Sequence, residues 1–140
     1  MRKNMDTIHF TEEERSILGK LPIEAVVLFG SQAEGRAGKL SDYDFGVIPS
    51  ASINAEERKR VYDALYDLFS GNIRQLVNID IVFLPGASPE LQASSIKHGI
   101  ALYERVPHAF ARFRERVMDM YADLAPAREM FQEAILSRIP

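Results

Sequence analysis

The sequence has 140 residues, 46% of them hydrophobic and 26% charged, so it is long enough for one domain with a sizeable core and too short for two of usual size. A formal charge of -3 argues against long-range attraction to nucleic acid or anionic membranes, and the absence of cysteine excludes disulfides and thiolate sites. With no secretory signal and no apolar run long enough for a membrane span, we expect a single cytoplasmic domain over residues 1–140.

The first part of the chain predicts a short helix followed by a buried strand. Thr11 before three glutamates is a typical helix N-cap, and Gly19 with Pro22 indicates the end of that helix. The run from Ile23 to Gly30 is β-branched and aromatic and ends in glycine, which is typical of a buried strand.

The middle of the chain predicts a loop, a strand and an amphipathic helix. Residues 31–41 contain two glycines and little periodicity, which favours a loop. Residues 43–49, YDFGVIP, alternate like a strand and stop at proline. From Asn54 to Phe69 apolar residues recur at helical spacing, and Ser70-Gly71 is a typical terminator.

The second half predicts two more strands and two more helices. A strand over residues 78–84 and a turn at Pro85-Gly86 precede a short helix from Pro89 to His98. Residues 101–104 predict an edge strand, and a long helix follows. Its apolar stripe is formed by Phe110, Phe113, Val117, Met120, Tyr121 and Leu124. Pro126 is expected to kink or restart that helix before it runs to the C-terminus. Strands interleaved with helices indicate an α/β or α+β class without fixing the strand order.

Asp42 and Asp44 lie two residues apart at the start of the second strand. Because side chains alternate faces along a strand, both carboxylates are expected on one side of the sheet. At about 4 Å and an effective dielectric near 20 they repel by roughly 4 kcal/mol, so they need a cation, a basic partner or a shared proton. Mg²⁺, which takes carboxylate oxygens and substrate phosphates, fits best. The alternative is an ordinary turn, since Ser-Asp is favourable turn chemistry.

Asp80 lies inside an apolar strand segment, NIDIVFL, where an isolated carboxylate would be costly to desolvate. If this strand neighbours the strand that carries Asp44, Asp80 can complete a three-carboxylate cluster with Asp42 and Asp44. Only cations would make such a cluster stable.

Gly30-Ser31 follows the first strand at a point where a glycine permits close approach of a ligand and the next N–H groups can face phosphate oxygens. The segment nearly fits a P-loop, but Arg36 replaces the lysine and Ala37 the magnesium-binding hydroxyl, which argues against that motif. Arg36 and Lys39 either contact phosphates or are solvated loop charges.

Gly30-Ser31, ten intervening residues and Asp42-Tyr43-Asp44 together resemble the Gly-Ser, Asp-x-Asp signature of the polymerase-beta-like nucleotidyltransferase superfamily, and Asp80 fits its third acid. The match GSQAEGRAGKLSDYDFGV and the ending HGIALYE resemble the minimal nucleotidyltransferase branch, MNT, whose members are often antitoxins of HEPN-domain toxins. The resemblance spans Ile23 to about Arg105. It implies a small mixed sheet flanked by helices, with a core over about residues 21–105 and a helical segment over about 107–140.

The resemblance also implies a role for each matched residue. Asp42 and Asp44 would bind two Mg²⁺ ions, and Asp80 would bind the catalytic ion and help to activate the acceptor hydroxyl. Gly30-Ser31 would hold the triphosphate of ATP. The product would be a partner HEPN toxin carrying AMP on a tyrosine hydroxyl, with pyrophosphate as leaving group and with toxin and antitoxin in one hetero-oligomer.

Two alternatives remain open at this stage. The chain could neutralise its partner by binding alone, through its C-terminal helices, or it could act on a hydroxyl of a small molecule. Residues 127–140 repeat the apolar helical pattern, so this surface either packs on the sheet or docks a partner. Tyr43 is expected in the core, facing away from the acids. No motif indicates which nucleotide base is preferred.

Overall fold

The computed structural model describes residues 10–30, 42–73 and 78–122, together with the single residues Ala33 and Glu133. The expectations for Pro126, Leu124 and residues 127–140 lie outside this part of the chain. Among the described helices, none combines the length and the apolar character needed to cross a bilayer.

Helices and strands are interleaved along the chain, as the sequence predicts. In order, the elements are α1 (Glu12–Gly19), β1 (Ile23–Phe29), β2 (Tyr43–Pro49), α2 (Ala55–Asn72), β3 (Ile79–Phe83), a 3-10 turn (Leu84–Gly86), α3 (Pro89–His98), β4 (Ile100–Glu104) and α4 (Ala109–Ala122).

The N-terminus of α1 is fixed by its own side chains. Thr11 Oγ1 accepts a hydrogen bond from the Glu14 backbone N–H at 3.1 Å, and Glu14 Oε1 accepts from the Thr11 N–H at 2.9 Å. Two N–H groups that the helix leaves unpaired are thereby satisfied, which confirms the predicted cap. Asn54 and Glu57 form the same reciprocal pair at the start of α2.

The predicted end of α2 at Ser70-Gly71 is wrong, because the helix continues to Asn72. The Asn72 side-chain amide donates to the Leu68 carbonyl at 2.9 Å and to Glu14 Oε2 on α1 at 3.2 Å. These bonds stabilise a helix end that lies one residue beyond Gly71.

The strands form one mixed sheet in the order β3-β2-β1-β4. β1 runs antiparallel to β2 and to β4, whereas β2 and β3 are parallel neighbours. The mixed sheet and the edge position of β4 agree with the predictions. β3 occupies the other edge, and it runs parallel to β2 because the connection through α2 returns the chain to the same end of the sheet before β3 begins.

Each face of the sheet is covered by its own pair of helices. On one face α1 and α2 contribute to a core in which the Phe45 and Phe69 rings stack with centroids 3.7 Å apart. Tyr43 is buried in that core, as expected. On the other face α3 and α4 cover the sheet through Ile96 and Phe110.

The stripe predicted on α4 is only partly buried. Phe110, Phe113 and Val117 enter the core, but Met120 is 51% exposed. It borders an open cavity beside Val117 instead of packing on the sheet. The predicted helical period is therefore correct, and Met120 belongs to the part of the stripe that does not pack on the sheet.

Arg105, directly after β4, joins the two ends of the turn between α1 and β1. Its Nε donates to the Ile23 carbonyl at 2.9 Å, and its Nη2 donates to the carbonyls of Gly19 and Leu21. Its backbone N–H donates to the Glu24 carbonyl at 2.7 Å. One guanidinium group thus donates to three backbone carbonyls between the end of α1 and the start of β1, one of which, that of Leu21, also accepts from the Ile23 N–H.

We expect Arg105→Ala to lower the free energy of unfolding by about 1–3 kcal/mol, because it leaves three carbonyls without their charged donor. Urea unfolding measures this change. Arg112→Ala is the matched control, since Arg112 is exposed and, among the described residues, its side chain donates to the Pro107 carbonyl alone. Equal losses in both variants would contradict this role for Arg105.

Candidate active site

The end of β1 is shaped by close contact between Gly30 and Asp44. Gly30 has φ +79°, in the left-handed region that favours glycine. A Cβ at this position would lie 2.3 Å from Asp44 Oδ2, so the carboxylate rests directly against the Gly30 backbone. The pairing of Phe29 with Asp44 in the antiparallel ladder places them there. The sequence predicted a glycine that admits a ligand, and the structure shows that it also admits the Asp44 carboxylate.

Asp44 and Asp80 are direct neighbours across the parallel pair of β2 and β3. Partners in a parallel register have their side chains on the same face, with strands about 4.8 Å apart. Both carboxylates therefore lie on the face covered elsewhere by α3 and α4. β2 and β3 are therefore neighbours, which is the condition under which the sequence places Asp80 next to Asp44.

Asp42 lies just before β2 and is exposed. The residue between the two acids, Tyr43, is only 4% exposed and belongs to the core of the opposite face. Alternation along the strand then places Asp44 on the face away from Tyr43. Asp42 lies at the same end of the sheet as Asp44, directly before the first residue of β2.

The expectation that Asp80 is a desolvated carboxylate inside an apolar strand is wrong. Asp80 is exposed, and the other residues of β3 are at most half-buried, because β3 is an edge strand. No large desolvation cost therefore applies to this carboxylate. Its position beside Asp44, and not its burial, makes it a candidate site residue.

The three carboxylates supply the kind of ligand that a hard cation takes, but they do not enclose one. Across the described ranges, no three acidic or histidine side chains are grouped closely enough to hold a single ion. The acids form an open edge on which a divalent ion and the phosphates of a substrate could complete each other's coordination. Magnesium binding by Asp42, Asp44 and Asp80 remains a prediction.

The remaining predicted site residues follow Gly30 in the sequence. Ser31, Arg36 and Lys39 lie outside the described residues. Gly30 itself is half-buried beside Asp44.

The chain matches the family "Polymerase beta, Nucleotidyltransferase" over residues 12–108, which is more than half of its length. No curated protein matches it in sequence. The described acids, Gly30 and every strand of the sheet lie within the matched span.

Solved structures share the fold. A crystal structure of a toxin-antitoxin with AMP-PNP has a TM-score of 0.60 at 20% identity and covers 90% of this chain and 99% of that one. A structure of tri-AMPylated Shewanella oneidensis HEPN toxin in complex with MNT antitoxin has a TM-score of 0.56 at 19% identity and covers 97% and 99%. The toxin-antitoxin MntA-HepT has a TM-score of 0.54 at 19% identity and covers 90% and 99%. At these identities the similarity shows the fold.

We expect Gly30→Ala to lower the free energy of unfolding by about 1–3 kcal/mol, because the new methyl group meets Asp44 and the backbone is held at positive φ. Gly71→Ala is the matched control. Gly71 lies in α2, and a Cβ there would meet nothing within 4 Å. This control should raise the stability by about 0.5–1 kcal/mol. Chemical denaturation measures the free energy of unfolding of both variants. A change of the same sign in both would contradict the packing of Asp44 against Gly30.

Proposed function

The chain belongs to the polymerase beta nucleotidyltransferase family, and from that premise we propose that it transfers AMP from ATP to a hydroxyl group of a partner HEPN-domain toxin, acting as the antitoxin. The observation that carries the proposal is the register that sets Asp44 beside Asp80 at an open sheet edge, with Asp44 against Gly30. This arrangement suits phosphoryl chemistry, where catalysis consists largely of positioning and charge neutralisation.

Asp42 and Asp44 would hold the two Mg²⁺ ions, and Asp80 would complete the ligand set from the neighbouring strand. When bound, Mg²⁺ supplies positive charge that offsets the phosphate oxygens and the acids together. Gly30, with Ser31 after it, would hold the triphosphate. A turn with backbone N–H groups directed at phosphates needs a residue without a Cβ at its start.

In the proposed reaction, the hydroxyl oxygen of the acceptor forms a bond to the α-phosphorus of ATP. The bond from that phosphorus to the bridging oxygen breaks, and pyrophosphate leaves with the electron pair. Asp80 accepts the proton of the attacking hydroxyl. Its exposed position at the edge strand leaves room for a hydroxyl carried by a large partner.

Two observations favour a protein acceptor. The similar structures are toxin-antitoxin complexes, and one of them is described as containing a tri-AMPylated toxin. Asp42, just before β2, and Asp80, on the edge strand β3, are both exposed, so the hydroxyl of a large partner, such as a tyrosine, can approach them. Neutralisation by binding alone remains the competing hypothesis, and the experiment below separates the two.

We expect Asp44→Asn to lower transfer of label from α-labelled ATP to the co-purified HEPN-domain partner by at least about a hundredfold, because it removes a charge that the bound ion requires. Asp63→Asn is the control. Asp63 is an exposed acid on α2 that pairs with Lys59 at 2.7 Å, and its variant should retain full transfer. Comparison of ATP with GTP in the same assay establishes the base preference.

Protection of cells from the co-expressed toxin distinguishes transfer from binding. If Asp42→Asn/Asp44→Asn abolishes both labelling and protection while the complex still co-purifies, transfer is the antitoxin activity. If protection persists at the level of the unaltered protein, binding alone suffices and the proposal is wrong.

A further inference from the structure

A groove of two adjoining cavities lies at the end of the sheet opposite the acids. The first cavity, of about 540 Å³, is bounded by Pro85, Gln92, Phe113, Arg116, Val117, Asp119 and Met120. The second, of about 420 Å³, is bounded mainly by Pro49, the residues 50–53, Arg58, Phe83 and Arg116. Pro85 and Arg116 belong to both, so the two cavities form one surface, here called the end groove.

The end groove is remote from the candidate active site. It lies where β2 and β3 end, at Pro49 and Phe83, whereas Asp44 and Asp80 lie where these strands begin. At about 3.3 Å per residue, the five residues from Asp44 to Pro49 separate the two sites by roughly 16 Å. A molecule in the end groove would therefore leave the acids accessible.

The second cavity of the end groove is positively charged. Arg58 lies with its guanidinium carbon 4.9 Å from the centre of the Phe83 ring, and that of Arg116 lies 6.0 Å from the Phe113 ring. These rings hold the two guanidinium groups in place on the walls of the groove. In the described part of the chain no carboxylate pairs with either of them. Because the whole chain carries a net charge of -3, this basic patch is a local exception.

The first cavity of the end groove is mostly apolar. Phe113 and Val117 form its floor, and Met120, 51% exposed, stands at its rim. The Gln92 amide, which is buried, donates to the carbonyls of Leu84 and Pro85. Phenylalanine, methionine and arginine are the residue types enriched at protein interfaces.

We propose that the end groove binds a segment of a partner protein that carries an apolar side chain next to an acidic one. The apolar side chain fits the cavity over Phe113 and Val117, and the carboxylate lies between Arg58 and Arg116. Each cavity alone already has the size of a small-molecule site. A peptide segment is the occupant that fills both cavities, with an apolar side chain in the first and a carboxylate in the second. The inference rests on the proposed function only for the expectation of a protein partner.

The test is a display selection of random twelve-residue peptides against the immobilised full chain, followed by fluorescence anisotropy of the best binders. We expect enrichment of peptides with an apolar residue close to an aspartate or glutamate. We expect Arg58→Glu/Arg116→Glu to weaken their binding at least about tenfold, because two attractive charges become repulsive. Replacement of the peptide acids by their amides should weaken binding to the unaltered chain similarly.

Arg15→Glu/Arg60→Glu is the matched control, because it makes the same change of charge at two exposed arginines outside the end groove. It should change the binding less than about twofold. Arg58→Gln/Arg116→Gln tests neutralisation without reversal and should weaken binding by an intermediate factor. Circular dichroism verifies that all variants fold.

Three outcomes would overturn the inference. They are a selection without enriched peptides, binders that tolerate Arg58→Glu/Arg116→Glu, and a dimer of this chain that the same variant dissociates, which would make a second copy the occupant. None of these readouts involves ATP or Asp44. Failure of the end groove is therefore distinguishable from failure of AMP transfer.

Discussion

The parallel register of β2 and β3 is the constraint on which the candidate site depends. Asp44 and Asp80 are held side by side by the parallel register of β2 and β3, and neither strand can shift by one residue without moving its apolar residues to the wrong face. Gly30 adds to this constraint, because the Asp44 carboxylate packs where any other residue would place a Cβ. The fold therefore keeps two carboxylates side by side on neighbouring strands, and carboxylate oxygens are the ligands that a divalent ion such as Mg²⁺ takes.

The two faces of the sheet differ in how completely helices cover them. α1 and α2 cover one face with a continuous core that includes Tyr43 and the stacked rings of Phe45 and Phe69. α3 and α4 cover the other face over Phe29 and Ile48 but leave Asp80 exposed at its edge. The rigid core on the first side thus positions β2, and the open edge on the second side leaves the acids accessible to a substrate. The end groove lies at the far end of the same strands, so an occupied groove and an occupied active site are sterically compatible.

Local signals in the sequence predicted most of the elements and the identity of the candidate site residues. The caps at Thr11 and Asn54 depend on side chains three residues apart, and the strands depend on short apolar runs, so both can be inferred from nearby residues. Gly30, Asp42 and Asp44 could be assigned to one candidate site because they lie at a recognisable spacing within a short stretch of sequence. The features that could not be inferred arise from contacts between distant parts of the chain. The edge position of β3 explains the exposure of Asp80, the Asn72 bond to Glu14 explains the longer α2, and the open cavity explains the exposure of Met120. The end groove combines residues of α2, α4 and the 3-10 turn, and no motif joins them.

The most direct measurement of the central claim is nuclear magnetic resonance of the isotopically labelled chain with a non-hydrolysable ATP analogue and substoichiometric Mn²⁺, a paramagnetic substitute for Mg²⁺. If the acids hold the ion, the amide signals of Gly30, Asp44 and Asp80 will broaden first, and excess Mg²⁺ will restore them. Signals at the opposite end of the strands, such as that of Phe83, will stay sharp. Uniform broadening along β2 and β3, or broadening centred away from Asp44, would contradict the proposed site.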